Sequence, residues 1–413
     1  MREMKDSGIE WVGAIPQDWQ LSKIGSLYTQ RNEKVSDKDY QPLSVTMQGI
    51  LPQLATAAKT DDGDNRKLVR VGDFAINSRS DRRGSCGISP LDGSVSLINI
   101  ILTPRTAMHP GYYNWLFHTT LFADEFYKWG HGIVADLWTT HWQEMKSITV
   151  PVPEYAEQER IAAFLDAECA EIDAVLEKTR ASIEEYKKLK QAVITQAVTK
   201  GVRGDRPMKD SGIEWIGDIP VEWDVIRVKQ LLKERNERSK EGKEEPLSMS
   251  QKVGLVPTKF LESIPNMASS FVGAKLAYVD DLVFNKLKAH LGVFSVSRYD
   301  GLVSPDYAVY CSTGKSNLKY LEYIFKTPQC IGEFRKKSTG IAAGLMRLYT
   351  EGLFSIYLPY PALSEQEEIA EYLNEKCAGI DALIVKKQQY LIEIENYKKS
   401  LIYEYVTGKK EVV

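Results

Sequence analysis

The sequence has no long hydrophobic run. A membrane-spanning helix needs about 20 consecutive apolar residues, whereas the most apolar stretch, Leu97 to Leu102, is short and is interrupted by Asn99. The first residues, Met1 to Asp6, also lack the apolar segment of a secretion signal. We therefore expect a cytoplasmic protein that does not contact a membrane.

Residues that bind metals or form disulfides are few. The five cysteines are an odd number, lie far apart and include no Cys-x-x-Cys pair, and the five histidines form no His-Glu-x-x-His motif. Zinc sites and redox couples need such spacings, so we expect no metal and a reduced environment. Cys169 and Cys377 recur at equivalent positions of two apolar stripes, which favours a role in core packing.

The motifs of common catalytic sites are missing as well. No Gly-x-x-x-x-Gly-Lys-Ser/Thr loop is present to hold phosphates, no Gly-x-Gly-x-x-Gly segment follows a strand, and no Gly-x-Ser-x-Gly elbow occurs. We therefore expect a binding protein with no cofactor in this chain. A nuclease or methyltransferase that acts on its own is the enzymatic alternative, and unaided cleavage or methylation of DNA by the purified chain would favour it.

The chain also lacks an excess of charge of one sign. Its 53 lysines and arginines and 56 aspartates and glutamates give a formal net charge of -3. Any contact with a polyanion must therefore be local. With 413 residues, of which 43% are hydrophobic, the chain exceeds what one core usually supports, and at least two domains are expected.

An internal duplication is the dominant feature of the sequence. Met4 to Trp11 recurs without a change as Met208 to Trp215, at an offset of 204 residues, and Asp92-Gly93 recurs as Asp300-Gly301 at an offset of 208. Between such anchors the two copies diverge. A repeat of this length is too long for a solenoid unit, so the sequence predicts a duplicated domain with two different surfaces.

Each copy combines two kinds of pattern. Short apolar runs such as Phe74 to Ile76 and Leu282 to Phe284 alternate with turn residues, and each copy ends in a helical stripe of apolar residues. We predict an α+β protein with two mixed α/β domains separated by two long antiparallel helices as a coiled-coil spacer, related by an internal pseudo-two-fold repeat. The predicted segments are domain 1 (residues 1–153), spacer helix 1 (154–201), domain 2 (202–361) and spacer helix 2 (362–413).

Cationic and aromatic segments are the candidate binding sites. In copy one a segment rich in arginine follows a predicted strand, and in copy two the matching segment keeps its cationic character with different side chains. Because arginine donates two hydrogen bonds to guanine or phosphate, this pattern indicates two DNA contact surfaces with different targets. The candidate DNA-binding residues are Ser78, Arg79, Arg82, Arg83, Lys128, His131, Thr139, Thr140, His141, Lys286, Lys288, His290, Lys336, Lys337, Arg347 and Tyr349.

Three groups of residues resemble a known family. Lys-Asp-Ser-Gly-Ile-Glu-Trp-Ile-Gly-x-Ile-Pro-x-x-Trp opens each half, at Lys209 to Trp223 and, with Val12, at Lys5 to Trp19. Pro-x-x-x-Glu-Gln-Glu-x-Ile-Ala-x-x-Leu follows at Pro153 to Leu165 and Pro361 to Leu373. With the endings Ala197 to Gly201 and Tyr405 to Lys409, these motifs resemble the specificity subunits of type I restriction-modification systems over essentially the whole chain.

The resemblance implies a non-catalytic subunit. In that family two target recognition domains each read one half of a split DNA sequence, and the long helices set the gap between the halves. Two modification subunits, which bind the helices, use S-adenosylmethionine to methylate adenine, and restriction subunits supply ATP-driven translocation and cleavage. No motif defines the base-contacting residues of the family, so none is transferred to this chain. A coiled-coil scaffold without DNA specificity is the alternative that the near-neutral charge suggests.

Overall fold

The computed structural model describes residues 2–53, 63–132, 138–251, 253–261, 271–340 and 346–412. It divides into two compact units, unit 1 (Met1–Arg180 with Gln388–Val413) and unit 2 (Ala181–Lys387). This division differs from the four segments expected from the sequence. It cuts each long helix in two, because each half of a helix packs on a different core.

Unit 1 contains the short strands and helices of the first copy, the first half of the first long helix and the second half of the second. The elements are β1 (Met4–Asp6), β2 (Ala14–Pro16), β3 (Gln20–Lys23), α1 (Ile24–Leu27), β4 (Tyr28–Arg31), β5 (Lys34–Val35), β6 (Leu43–Thr46), β7 (Gly49–Pro52), β8 (Arg66–Val69), β9 (Phe74–Asn77), β10 (Cys86–Ile88), β11 (Gly93–Val95), β12 (Asn99–Pro104), α2 (Pro110–Phe117), α3 (Thr120–Lys128), α4 (Trp142–Met145), β13 (Thr149–Val152) and α5 (Tyr155–Lys200).

Unit 2 has a similar order of elements and contains the first half of the second long helix. The elements are β14 (Met208–Asp210), β15 (Asp218–Pro220), β16 (Asp224–Arg227), β17 (Leu232–Arg235), β18 (Leu247–Ser250), β19 (Gly254–Pro257), β20 (Lys275–Ala277), β21 (Leu282–Asn285), β22 (Phe294–Val296), β23 (Gly301–Val303), β24 (Tyr307–Ser312), α6 (Leu318–Phe325), α7 (Pro328–Lys337), α8 (Thr350–Phe354), β25 (Tyr357–Tyr360) and α9 (Leu363–Val406).

An antiparallel sheet forms the centre of unit 1, with the strand order β10-β9-β12-β4. All four residues of β9 are buried, because both faces of the strand are covered. Phe74 and Ile76 join the main core, whereas Ala75 joins a smaller cluster on the opposite face. This alternation follows from the two-residue period of a β-strand and explains why the run is apolar without a break.

Aromatic side chains connect this sheet to the helices α2 and α3. The ring centroids of Phe74 and Phe117 lie 4.5 Å apart, and those of Phe117 and Phe122 lie 4.7 Å apart. All three side chains are fully buried. Since burial of one phenylalanine stabilises a fold by about 1.5–3 kcal/mol, these rings make a large contribution to the free energy of unfolding of unit 1.

Within unit 1 the start of α5 pairs with the end of α9. Lys398 Nζ lies 2.6 Å from Asp173 Oδ1, and Arg180 Nη2 lies 2.6 Å from Glu395 Oε1. The residue numbers increase along one helix and decrease along the other, so this pair of segments is antiparallel. These exposed ion pairs contribute little stability, and the buried Leu165 and Leu401 of the same core contribute more.

The opening motif of unit 1 closes over the start of α5. Trp19 Nε1 donates a 2.9 Å hydrogen bond to Glu157 Oε2, and the guanidinium of Arg2 pairs with the same carboxylate. Gln158 accepts a 2.9 Å hydrogen bond from the backbone N–H of His109 and donates one of 2.8 Å to the carbonyl of Pro153. The Glu-Gln dipeptide therefore joins three separate chain segments, which accounts for its place in the motif.

Unit 2 has the corresponding sheet, with the strand order β17-β24-β21-β22. Leu282 and Phe284 face the main core of this unit, and Val283 faces a smaller cluster. Strand β21 is therefore buried on both faces, as β9 is in unit 1. In the same unit the second half of α5 contacts the first half of α9, since Lys190 Nζ lies 2.6 Å from Asp381 Oδ2.

The opening motif of unit 2 makes the same contacts as its counterpart. Glu365 accepts a 3.0 Å hydrogen bond from Trp223 Nε1 and lies 2.6 Å from Arg206 Nη2. Gln366 accepts from the backbone N–H of Asn317 at 2.9 Å and donates to the carbonyl of Pro361 at 3.0 Å. The expectation of a mixed α and β fold is confirmed.

Candidate nucleic-acid interface

Two distant segments of unit 1 meet beside the end of β9. The backbone N–H of Thr140 donates a 3.0 Å hydrogen bond to the carbonyl of Ser78, and Ser80 N–H donates one of 3.0 Å to the carbonyl of Trp138. Thr139 and His131 in turn exchange two backbone hydrogen bonds, of 2.9 and 3.0 Å. The structure therefore joins the two regions that the sequence suggested separately into one surface.

The three candidate arginines of this surface are all exposed. Arg82 lies in a short 3-10 turn, Ser80–Arg82, 3.7 Å from the carboxylate of Asp81. Arg83 pairs with Asp124. Because exposed ion pairs are weak, a DNA phosphate or a guanine edge can compete for either guanidinium.

The polar side chains below this surface have internal partners. Thr140 is fully buried and its hydroxyl donates to the carbonyl of Phe126 at 2.9 Å, while the buried Ser78 hydroxyl donates to the carbonyl of Ile98. The sequence placed both residues among the DNA contacts. Their side chains instead fix the backbone that carries their exposed neighbours.

The remaining candidates of unit 1 lie at its surface. Lys128 is exposed, with its Nζ 3.6 Å from Glu10 and 3.8 Å from Glu125. His131 is exposed, and so is His141, which precedes α4 and whose backbone N–H donates to Glu144 Oε2 at 3.1 Å. These side chains extend the basic and polar surface formed by the arginines.

Unit 2 builds its surface with the same backbone contacts. Leu348 N–H donates a 3.0 Å hydrogen bond to the carbonyl of Lys286, and Thr339 and Arg347 exchange two backbone hydrogen bonds, of 3.0 and 2.8 Å. Arg347 Nη2 also lies 3.3 Å from Asp306 Oδ1. The segments near Lys286 and Arg347 are therefore adjacent, although about sixty residues separate them in the sequence.

The candidate cations of unit 2 differ in accessibility. Lys288 and Lys337 are exposed, as is Lys336, which lies 2.7 Å from Glu333. Lys286 is half-buried and donates to the carbonyl of Pro305 at 3.1 Å. Burial lowers the pKa of Lys286, and the positive charges of Lys275 and Arg347 act in the same direction.

His290 does not lie at this surface. Its side chain is only 6% exposed, and its Nδ1 has no hydrogen-bond partner in the part of the chain that the structure describes. Burial lowers the pKa of His290, and the guanidinium of Arg335 lowers it further. Tyr349, by contrast, is 48% exposed and offers an aromatic ring and a hydroxyl to a ligand.

Unit 1 also contains an open cleft of about 420 Å³ beside Arg79 and His141. Its lining includes Gln30, Lys67 and Gln143, which the sequence did not identify as candidates. One signal could have identified Lys67, because Lys275 occupies the same position of the second copy, at an offset of 208 residues. A lysine that both copies retain, although the surrounding segments diverge, indicates a functional residue.

The described residues contain neither a metal-binding cluster nor a membrane-spanning helix. Among residues 2–53, 63–132, 138–251, 253–261, 271–340 and 346–412, no group of three or more histidine, cysteine, aspartate or glutamate side chains could hold a metal ion. Within the same part of the chain, no helix is both long and apolar enough to cross a membrane.

Curated proteins similar to this chain include two type I restriction enzyme specificity subunits. No family model matches the chain. It is 23% identical, over 428 aligned residues, to the type I restriction enzyme MjaVIII specificity subunit of Methanocaldococcus jannaschii, with 96% of this chain and 94% of the relative covered. It is 22% identical over 294 residues to the type I restriction enzyme EcoDI specificity subunit of Escherichia coli, with 64% and 63% covered.

Solved structures of the same class share the fold. A chain from work on complex assembly and conformational transition of the type I R-M system superimposes with a TM-score of 0.73 at 14% identity, over 96% of this chain and 99% of that chain. The HsdS subunit from Thermoanaerobacter tengcongensis gives a TM-score of 0.55 at 15% identity, over 96% and 98%. The resemblance to type I specificity subunits is confirmed.

Proposed function

We propose that this chain is the sequence-specific DNA-recognition subunit of a type I restriction-modification complex. Each mixed domain reads one half of an asymmetric, bipartite target. The observation that carries the proposal is the pair of equivalent surfaces, one around Arg79 and one around Lys286, which share their backbone hydrogen bonds but differ in their side chains. One scaffold with two different basic surfaces suits the reading of two different half-sites.

The division of labour along the chain is part of the proposal. Residues 1–153 and 202–361 are the two target recognition domains, and residues 154–201 and 362–413 are the two spacer helices of an internal pseudo-two-fold repeat. The antiparallel contacts within each unit, such as Lys398 with Asp173 and Lys190 with Asp381, support a coiled-coil spacer. We assign to this spacer the setting of the gap between the half-sites and the binding of the modification subunits.

The partners follow from the same assignment. The chain binds double-stranded DNA, two modification subunits that carry the methyltransferase activity, and restriction subunits that carry the motor and nuclease, in the cytoplasm. It contributes recognition and no catalytic step, and it needs no cofactor of its own. The buried hydroxyls of Ser78 and Thr140 support the DNA contacts from below the surface, through their hydrogen bonds to the backbone.

Methylome sequencing tests the proposal directly. A host that carries the modification genes is compared with and without this chain. The expected result is one bipartite adenine-methylated sequence that is present only with the chain. The same modification pattern in both hosts would contradict the proposal, and a chain that assembles with its partners but gives no sequence preference in a gel-shift assay would favour the scaffold alternative.

A further inference from the structure

A lysine occupies the same repeat position in both units but has different surroundings. Lys67 lies on β8 and Lys275 on β20, at the offset of 208 residues that relates this part of the copies. The residues that precede Arg31 and Arg235 in the copies differ as well, since Gln30 stands in β4 where Glu234 stands in β17. Each arginine pairs with an equivalent aspartate, at 2.7 and 2.8 Å, so the two strands match in register.

In unit 2 the lysine is neutralised. Lys275 Nζ lies 3.3 Å from Glu234 Oε1, with 8% and 26% of the two side chains exposed. Glu234 Oε2 accepts a 2.8 Å hydrogen bond from the hydroxyl of Thr350, which also contacts the hydroxyl of Tyr310 at 3.0 Å. Thr350, the first residue of α8, therefore holds the ion pair in place. The positive charge of Lys275 is already compensated by Glu234 and is not available to DNA.

In unit 1 the structure shows no carboxylate in this role among the residues that it describes. Lys67 Nζ donates a 2.7 Å hydrogen bond to the backbone carbonyl of Asn99, and among residues 2–53, 63–132 and 138–180 the structure shows no ion pair to this lysine. The counterpart of Glu234 is the neutral Gln30, and both Gln30 and Lys67 line the cleft beside Arg79. Burial lowers the pKa of Lys67, so its charged form gains from an additional acceptor.

We propose that Lys67 donates a hydrogen bond to an acceptor of DNA that enters this cleft, and that Glu234 prevents Lys275 from making the equivalent contact in unit 2. This inference rests on the proposed function. The acceptor is either the O6 and N7 edge of guanine or a phosphate oxygen, both of which bind an ammonium group. Gln30 and Glu234 then act as positioning residues that decide whether the lysine beside them is available.

The two copies supply matched variants for the test. Lys67→Gln removes the charge in unit 1, Gln30→Glu introduces the neutralising carboxylate of unit 2, and Glu234→Gln introduces the neutral side chain of unit 1. Each variant is assembled with the modification subunits, and its binding to the methylome-defined target and to single-base variants is measured by fluorescence anisotropy at several salt concentrations. Thermal melting of each assembled variant confirms its folding.

Both unit 1 variants should weaken binding to the target by about 5- to 150-fold, the range of one specific polar contact. Loss confined to one base pair identifies the guanine edge, whereas uniform loss with a salt slope reduced by about one identifies a phosphate. Glu234→Gln should not weaken binding and should make the salt slope steeper. Loss at one base pair or a change in salt slope separates these roles from a purely structural one, which would alter neither.

Unchanged affinity and salt slope in both Lys67→Gln and Gln30→Glu would overturn the inference, while a sequence-selective wild-type complex would leave the proposed function intact. A wild-type complex without sequence preference would instead overturn the proposed function, and this inference with it. If Lys67→Gln alone loses its fold, Gln30→Glu decides the outcome, because it retains the lysine and its bond to Asn99.

Discussion

The carboxylate of Glu365 accepts a 3.0 Å hydrogen bond from the indole nitrogen of Trp223, and only 4% of the Glu365 side chain is exposed. Arg206 Nη2 lies 2.6 Å from its other oxygen, and 10% of the arginine side chain is exposed. In unit 1 the equivalent Arg2 and Glu157 are more accessible, at 20% and 12%. The same three-residue contact is thus more deeply buried in unit 2.

The first prediction concerns this difference. Glu365→Ala leaves the buried indole N–H of Trp223 without its acceptor and takes from Arg206 the nearer of two carboxylate partners, the other being Glu222 at 3.3 Å. We expect a loss of about 1–3 kcal/mol in the free energy of unfolding. Glu157→Ala should cost less, because water can reach Arg2. Urea denaturation followed by circular dichroism measures both, with the exposed Glu371→Ala as control. Equal losses at Glu157 and Glu365 would contradict the role of burial.

A second prediction concerns the apolar stripe of α5. Leu165 and Ile172 both belong to this stripe. Leu165 is fully buried in the core of unit 1, whereas Ile172 is only partly buried against that core. Leu165→Ala should therefore destabilise unit 1 by about 2–5 kcal/mol, and Ile172→Ala by about 1 kcal/mol. Thermal melts in which Ile172→Ala is the more damaging change would refute this order.

The third prediction separates the two DNA surfaces. Arg82 and Lys288 are exposed in different units, so Arg82→Ala and Lys288→Ala should each impair one half-site and not the other. A base contact should cost about 1–3 kcal/mol of binding free energy and relax one position, whereas a phosphate contact should reduce the salt slope. Binding of the assembled complex to DNA with either half-site scrambled is the measurement. Impairment of the same half-site by both changes would be inconsistent with the assignment.

A fourth prediction tests the proposed spacer. Insertion of four residues near Ala181 lengthens α5 by about 6 Å and adds roughly one turn, which keeps the apolar stripe nearly in register. The half-sites should stay the same and the gap between them should grow. Methylation mapping of the variant gives both properties at once, and an altered half-site with an unchanged gap would argue against the spacer.

The fifth prediction is a pH dependence. Glu322 is 6% exposed, and its carboxylate contacts Lys326 Nζ at 2.6 Å and Lys319 Nζ at 2.9 Å. Burial by itself would raise the pKa of Glu322, but the two lysines lower it below the ordinary 4.5. As the pH falls below about 4.5, the unfolded chain binds a proton that the folded chain does not, so the stability contributed by this group is lost.

Glu322→Gln removes that contribution. The wild type should be more stable than the variant near pH 7, and the difference in melting temperature should shrink as the pH falls from about 5 towards 3. Glu375→Gln, at an exposed position of α9, is the control. A difference that stays constant, or that grows towards acid pH, would show that the lysines do not hold Glu322 in its ionised form.

The sequence alone identifies the two cationic segments of the candidate interface, because each segment is a run of neighbouring residues. The segments near Arg79 and near Lys286 follow strands that an apolar run predicts, and their cationic character is visible in the letters themselves. The accessibility of each side chain could not be read in the same way. Thr140 precedes the exposed His141, and His290 comes two residues after the exposed Lys288. Both Thr140 and His290 are nevertheless buried, because their neighbours in space come from other elements.

The sequence by itself determined the duplication, the mixed fold and the positions of the two long helices, since an identical motif and a helical period are properties of neighbouring residues. Only the tertiary structure decided which residues share a surface. Lys67 and Gln30 lie on different strands, and no period relates the two. Gln30 on β4 pairs with β12, and Lys67 on β8 donates a hydrogen bond to Asn99 at the start of β12, so both side chains reach one cleft. Long-range packing creates such contacts: it places Glu234 3.3 Å from Lys275, whereas the equivalent position of unit 1 carries the neutral Gln30 and Lys67 donates to the carbonyl of Asn99.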